Sequence, residues 1–136
     1  MRILLDTHVF LWLNTNRRRL GGYLSTIEDR ETELILSAAS SWEIVVKHHT
    51  GRLPLPEPPE QYLPSRMAQA GIIPLPIEHS HALAVARLPK LHRDPFDRML
   101  IAQAQMLGLT LLTADATLST YASIEPARAD FIVTLD

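Results

Sequence analysis

Short apolar runs alternate along the chain with segments in which apolar residues recur at helical spacing. Five runs predict strands: RILLD, ELILS, GIIPLP, LTLLT and DFIVTL. Helical spacing predicts six helices. One begins near Thr7, one ends near Gly71, and the others run through GGYLSTIEDR, SSWEIVVKHH, IEHSHALAVARL and DPFDRMLIAQAQML. The segment GRLPLPEPPE is predicted to be a loop. This alternation is typical of parallel strands covered by helices on both faces. We therefore predict an α/β fold with three layers and a mostly parallel β-sheet.

The length of the chain, 136 residues, fits one domain, which we expect to span residues 1–136. No run approaches ~18 uninterrupted apolar residues, so no membrane span is expected. The apolar start, MRILLDTHVFLWLN, is interrupted by Asp6 and His8 and lacks a small-residue cleavage site, which argues against a signal peptide. The absence of cysteine excludes disulfides and thiolate metal ligands. A cytoplasmic location is the default expectation.

The net charge of −2 argues against binding nucleic acid through bulk positive charge. The objection weakens if cations neutralise four of the carboxylates, because removing four negative charges changes −2 to +2. The basic residues then form two local clusters, which are either solvated surface charge or contacts to a phosphate backbone. The clusters are Arg17, Arg18 and Arg19, and Lys90, His92, Arg93 and Arg98.

The stretch LHRDPFDRMLIAQAQMLG carries two aspartates at the start of a helical pattern. Asp94 stands where an N-cap belongs, Pro95 suits the first helical position, and Gly108 supplies the stop. Asp97, at the third helical position, suits the positive end of the helix dipole. Capping alone could therefore explain both acids, and this stretch does not decide whether Asp97 has another role.

Four acids are predicted to meet at one edge of the sheet, where the strands end. Asp6 closes the first strand and Asp115 lies just beyond LTLLT. Glu43 lies early in the helix after ELILS, and Asp97 lies in the first turn of the helix before LTLLT. Ligands and catalysis collect at this edge in parallel sheets. Capping does not predict such a convergence.

Several of these residues have a structural alternative. Asp115 could cap a short helix in ATLSTYA, and Glu43 could be a surface acid whose stem packs beside Trp42. Thr7 and Thr113, each next to this edge, could hold a carboxylate or a metal-bound water in place, or could simply terminate strands.

Carboxylates that crowd together raise one another's pKa unless a cation neutralises them. Only oxygen ligands are available here, and these suit Mg²⁺ or Mn²⁺. Metal-assisted hydrolysis of a phosphodiester is the reaction that matches such a site. The sequence therefore favours a metal-dependent hydrolase.

Four segments, LLDTHVFLW, SSWEI, HRDPFDRMLIAQA and LLTAD, resemble the PIN-domain ribonucleases, specifically the VapC-type toxins of toxin-antitoxin pairs. The resemblance covers essentially the whole chain, in order. It implies that the catalytic and metal-binding acids are Asp6, Glu43, Asp97 and Asp115. It also implies that Thr113 supports the last acid and that Asp94 is an accessory to the motif.

The same resemblance implies a PIN-like fold and a Mg²⁺- or Mn²⁺-dependent endoribonuclease that forms a homodimer. It further implies a cognate antitoxin, a segment of which occupies the active-site groove. Arg98 and Lys47 are the basic residues that we expect to steer the RNA backbone.

Three other functions stay open. One is a nuclease that acts on DNA, and another is a PIN-like module that binds RNA or protein without cutting. A third is phosphoryl transfer with Asp6 as the nucleophile. The dehalogenase-like phosphatases carry a second aspartate two residues after the first, and this chain has His8 there, which argues against that reading.

Overall fold

The computed structural model describes residues 1–90, 94–118 and 132–135. The strands are β1 (Arg2–Leu5), β2 (Glu33–Ser37), β3 (Ile73–Leu75), β4 (Thr110–Thr113) and β5 (Ile132–Thr134). The helices are α1 (Thr7–Thr15), α2 (Leu24–Glu28), α3 (Ala38–His49), α4 (Pro59–Ala70), α5 (His79–Ala84) and α6 (Pro95–Leu107), with 3-10 helices at Arg17–Tyr23 and Val85–Arg87. None of the helices in these ranges combines the length and the apolar character that crossing a membrane requires.

The five strands form one sheet in the order β3-β2-β1-β4-β5, and every pair of neighbours is parallel. At the centre of the sheet, Leu4 of β1 is in register with Ile35 of β2 and with Leu111 of β4. The prediction of a mostly parallel sheet is confirmed.

Side chains of the central strands alternate between two hydrophobic clusters, one on each face of the sheet. Ile3 and Leu5 belong to the cluster that contains Phe10 of α1 and Tyr62 of α4. Leu4, between them, belongs to the cluster on the other face, to which α6 contributes Leu100, Ile101, Ala102 and Ala104 and α5 contributes Ala84. The three-layer arrangement expected from the sequence is therefore present.

Helix α6 begins and ends as its sequence predicts. The carboxylate of Asp94 accepts hydrogen bonds from the backbone N–H groups of Phe96 and Asp97, with Pro95 at the first helical position. Gly108 follows the helix with φ of +68°, a left-handed conformation that glycine adopts without strain. These caps fix where Asp97 stands on the helix.

Two predicted helices are shorter than expected. The segment GGYLSTIEDR contributes its first residues to a 3-10 helix and then forms α2, because Gly21 has a non-helical φ of +55°. In IEHSHALAVARL, α5 ends at Ala84 and a 3-10 turn follows. Part of the predicted strand DFIVTL, Asp130 and Phe131, lies outside the described residues, as does most of ATLSTYA.

Candidate active site

The strand order places a crevice beside the carboxyl end of β1. From β1 the sheet continues to β2 and β3 on one side and to β4 and β5 on the other. Ligand sites of open parallel sheets lie at such a reversal. Asp6 follows β1 there, and its backbone N–H donates to the carbonyl oxygen of Leu112 at 3.0 Å. Thr113, the last residue of β4, lies on the other side of the crevice.

A pocket of about 220 Å³ opens at this edge and contains all four predicted acids. We call it the acid pocket, and it is lined by Asp6, His8, Glu43, Lys47, Asp94, Asp97 and Asp115. The predicted convergence is therefore observed, although the four acids come from the residue after β1, from α3, from α6 and from the segment after β4. Their catalytic role stays a prediction.

Asp6 is a buried carboxylate of the pocket. Only 3% of its surface is exposed, and Oδ2 accepts a hydrogen bond from the hydroxyl of Thr113. Burial raises the pKa of Asp6, while the hydrogen bond from Thr113 and the nearby His8 oppose that rise. Thr113 Oγ1 also accepts from the backbone N–H of Asp115 at 3.0 Å. One buried hydroxyl thus links two of the acids.

Glu43 is buried, so the interpretation of this residue as a surface acid is wrong. It is 3% exposed. Its Oε1 accepts from Thr7 Oγ1 at 2.6 Å, and its Oε2 lies 2.6 Å from the ammonium of Lys47. Of the two alternatives for the threonines, holding a carboxylate in place is the one that Thr7 and Thr113 both adopt.

Lys47 is one helical turn beyond Glu43 on α3, and its side chain is 34% exposed. The hydrogen bond to Glu43 raises the pKa of Lys47, and the charges of Asp94 and Asp97 add to that rise. The ammonium therefore stays charged and compensates part of the negative charge of the pocket. The i, i+4 spacing of Glu43 and Lys47 on one helix is a sequence signal for this ion pair, which the prediction of Lys47 as an RNA contact did not include.

Asp94 and Asp115 each cap a local turn and also line the acid pocket. Asp94 is an N-cap, as predicted, and also lines the pocket. Asp115 Oδ1 accepts from the backbone N–H of Thr117 at 2.9 Å and from its hydroxyl at 2.6 Å. The predicted local cap at Asp115 is thus present in an acid that also lines the pocket. His8 is an exposed pocket residue that sequence reasoning did not select.

The donors of the pocket suit a hard divalent cation, because they are almost entirely carboxylate oxygens. Among the described residues, however, no group of three or more His, Asp or Glu side chains is arranged to hold a metal ion. Both oxygens of Glu43 already accept from Thr7 and Lys47. The residues fit Mg²⁺ or Mn²⁺ in kind, and holding either ion requires side chains to rearrange.

Two other basic residues named from the sequence, Arg98 and Arg17, make contacts outside the acid pocket. Arg98 donates to the carbonyl oxygens of Pro89, Val85 and Leu88, at 2.9, 3.2 and 3.3 Å, and so braces the segment before α6. These contacts give Arg98 a structural role, and its part in substrate binding stays a prediction. Arg17 pairs with Glu28 at 2.7 Å. In the second cluster, His92 and Arg93 lie outside the described residues.

The family model of the PIN domain matches residues 3–124, nearly the whole chain. The chain therefore belongs to the PIN-domain family. Among curated proteins, it is similar to Ribonuclease VapC16 of Mycobacterium tuberculosis (strain ATCC 25618 / H37Rv), with 44% identity over 55 residues. That alignment covers 40% of this chain and 39% of the relative's length.

Solved structures with similar folds include VapBC2 from Rickettsia felis bound to a DNA fragment from their promoter, with a TM-score of 0.72, 11% identity and full coverage of both chains. A toxin-antitoxin complex from Klebsiella pneumoniae has a TM-score of 0.61 and 20% identity, over 97% of this chain and 96% of that one. FitAcB from Neisseria gonorrhoeae has a TM-score of 0.59 and 22% identity, over 98% and 96%. At these identities the likeness shows the PIN-like fold.

Proposed function

We propose that this protein is a Mg²⁺- or Mn²⁺-dependent endoribonuclease that acts as the VapC-type toxin of a toxin-antitoxin pair. The observation that carries the proposal is the gathering of four carboxylates in one pocket at the reversal of the strand order: Asp6, Glu43, Asp97 and Asp115. Membership of the PIN-domain family and the local similarity to Ribonuclease VapC16 support the choice of ribonuclease.

A divalent ion bound by these acids would supply an activated water and stabilise the attacking and leaving oxygens of the displacement. The residues of the chain prepare the site in three ways. Thr113 fixes the carboxylate of Asp6 and the backbone of Asp115, and Thr7 fixes Glu43. The N-terminal turn of α6 presents Asp97. Burial of Asp6 and Glu43 keeps solvent from competing for their oxygens.

We further propose a cognate antitoxin, a segment of which occupies the acid pocket, since complexes of toxin and antitoxin are among the proteins that share this fold. The unit is taken to be one domain over residues 1–136 that works in the cytoplasm as a homodimer. Exposed apolar side chains on α3, namely Trp42, Val45 and Val46, support a protein partner of this kind.

The proposal is tested by incubating the purified, antitoxin-free protein with pooled cellular RNA and, separately, with single-stranded DNA. Each substrate is incubated with Mg²⁺, with Mn²⁺ and with EDTA. We expect discrete RNA fragments with either metal and none with EDTA. Cleavage of DNA in preference to RNA would assign the same chemistry to another substrate. Thermal stabilisation by the metals without any cleavage would instead favour a binding module.

A further inference from the structure

Lys47 makes an unusual contact for a residue expected to bind substrate. Its ammonium lies 2.6 Å from Glu43 Oε2, and Glu43 is almost fully buried. The ammonium also lies near enough to Asp94 and Asp97 for their charges to stabilise it. The ammonium of Lys47 therefore interacts with the acids of the pocket and is not directed at an incoming phosphate.

The other oxygen of Glu43 is held by Thr7 Oγ1, at 2.6 Å. Glu43 thus has one neutral donor and one cationic donor, and a buried carboxylate without such partners would be costly. Because no group of three His, Asp or Glu side chains in the described part of the chain is arranged to hold a metal ion, the pocket as it stands is organised around the ammonium.

We propose that Lys47 is the resident counter-ion of the acid pocket and must leave Glu43 before a divalent cation can use that carboxylate. This inference rests on the proposed function in one respect only, namely that Glu43 takes part in metal binding. Two cations close to one carboxylate repel each other, so the ammonium and the metal compete for Glu43. Lys47 is then a positioning residue that sets the affinity of the site for metal.

The competition can be observed in the wild-type protein, because Lys47 and Lys90 are the two lysines of the chain. Lys90 is exposed and does not line the acid pocket, so it serves as an internal reference. The antitoxin-free protein is acylated briefly with an amine-reactive reagent, with and without saturating Mn²⁺, and the modification of each lysine is read by mass spectrometry. We expect Mn²⁺ to speed the labelling of Lys47 at least about threefold and to leave Lys90 unchanged.

Matched variants test the same competition through affinity. Lys47→Met removes the ammonium, Lys90→Met makes the same charge change outside the pocket, and Lys47→Arg keeps the charge. Calorimetric titration with Mn²⁺ is expected to show binding about tenfold tighter in Lys47→Met than in Lys90→Met, with Lys47→Arg close to wild type. The labelling experiment needs no substitution, so it decides the matter even if Lys47→Met does not fold.

Two results would overturn the role of Lys47 and leave the proposed function standing. One is Mn²⁺ binding with unchanged or slower labelling of Lys47, and the other is unchanged or weaker binding in Lys47→Met. Absence of Mn²⁺ binding in the wild type and in every variant would overturn both the metal-dependent function and this inference. Binding by Lys47→Met but not by the wild type would support the displacement of Lys47.

Discussion

Thr113, the last residue of β4, donates a hydrogen bond from its hydroxyl to Oδ2 of Asp6, the residue that follows β1. This contact joins the ends of two neighbouring parallel strands across the crevice where the strand order reverses. The same hydroxyl oxygen accepts from the backbone N–H of Asp115. A single side chain therefore sets the positions of two acids that are far apart in the sequence.

Replacing Thr113 by valine keeps the shape of the side chain and removes both hydrogen bonds. We expect Thr113→Val to lower the free energy of unfolding by about 1–3 kcal/mol and the rate of RNA cleavage at least about tenfold. Thr110→Val, at the other end of β4, is the control and should leave cleavage near the wild-type rate. Urea unfolding and initial rates with Mn²⁺ measure the two effects. Full activity in Thr113→Val would show that this hydroxyl does not position the acids.

The hydroxyl of Thr7 makes the corresponding contact to Glu43. Thr7→Val leaves Oε1 of a buried carboxylate without this donor, so we expect the free energy of unfolding to fall by about 1–3 kcal/mol. Thr15→Val, at the exposed end of the same helix, should change it by no more than about 0.5 kcal/mol. Chemical denaturation in EDTA compares them. Equal effects of the two substitutions would contradict a specific role for Thr7.

The contacts of Thr113 and Thr7 also show which parts of the site could not be predicted from the sequence. The residues that cap α6 could be predicted, because Asp94, Pro95 and Gly108 act within a few residues of themselves. The shared edge of the acids followed from the parallel sheet, since the carboxyl ends of parallel strands lie together. The partners of those acids could not be predicted in the same way, because Thr7 and Glu43 are 36 positions apart and Thr113 and Asp6 are 107 apart.

Of three further features of the structure, one could have been predicted from the sequence and two could not. The pairing of Lys47 with Glu43 could have been predicted from their i, i+4 spacing on a helix. The break at Gly21 could not, because a glycine within a helical pattern does not reveal which conformation it takes. The braced guanidinium of Arg98 also escaped prediction, since its acceptors are backbone carbonyls whose positions depend on the fold.

The role of Asp94 can be separated from that of Asp97. Asp94→Ala is expected to cost about 1 kcal/mol of stability through loss of the cap, whereas Asp94→Ser keeps a capping oxygen and should cost less. If Asp94 acts mainly as a cap, Asp94→Ser should retain RNA cleavage within about threefold of wild type, and Asp97→Asn should lose it. Cleavage assays and thermal unfolding make the comparison. An Asp94→Ser protein as inactive as Asp97→Asn would place the carboxylate of Asp94 in the reaction.

The raised pKa of Asp6 predicts how the stability of the metal-free protein depends on pH. At pH values between 3.8 and the folded pKa of Asp6, the folded protein keeps the proton of this carboxyl group, whereas the unfolded chain releases it. The free energy of unfolding therefore falls as the pH rises through the folded pKa of Asp6. Asp6→Asn removes this term. We expect its stability relative to wild type to increase as the pH rises from about 4 through the folded pKa of Asp6. Urea unfolding in EDTA at several pH values measures the difference, and a constant or shrinking difference would contradict a raised pKa.

The central proposal is that the carboxylates of the acid pocket hold the divalent cation with which the protein cleaves RNA. Its most direct measurement is the rate at which Glu43→Gln cleaves RNA with saturating Mn²⁺, compared with Glu33→Gln at the exposed start of β2. The amide of Glu43→Gln can still accept from Thr7, so folding should survive. We expect the rate of Glu43→Gln to fall at least about a hundredfold and that of Glu33→Gln to stay near wild type. A folded Glu43→Gln protein that cleaves RNA at the wild-type rate would contradict the account.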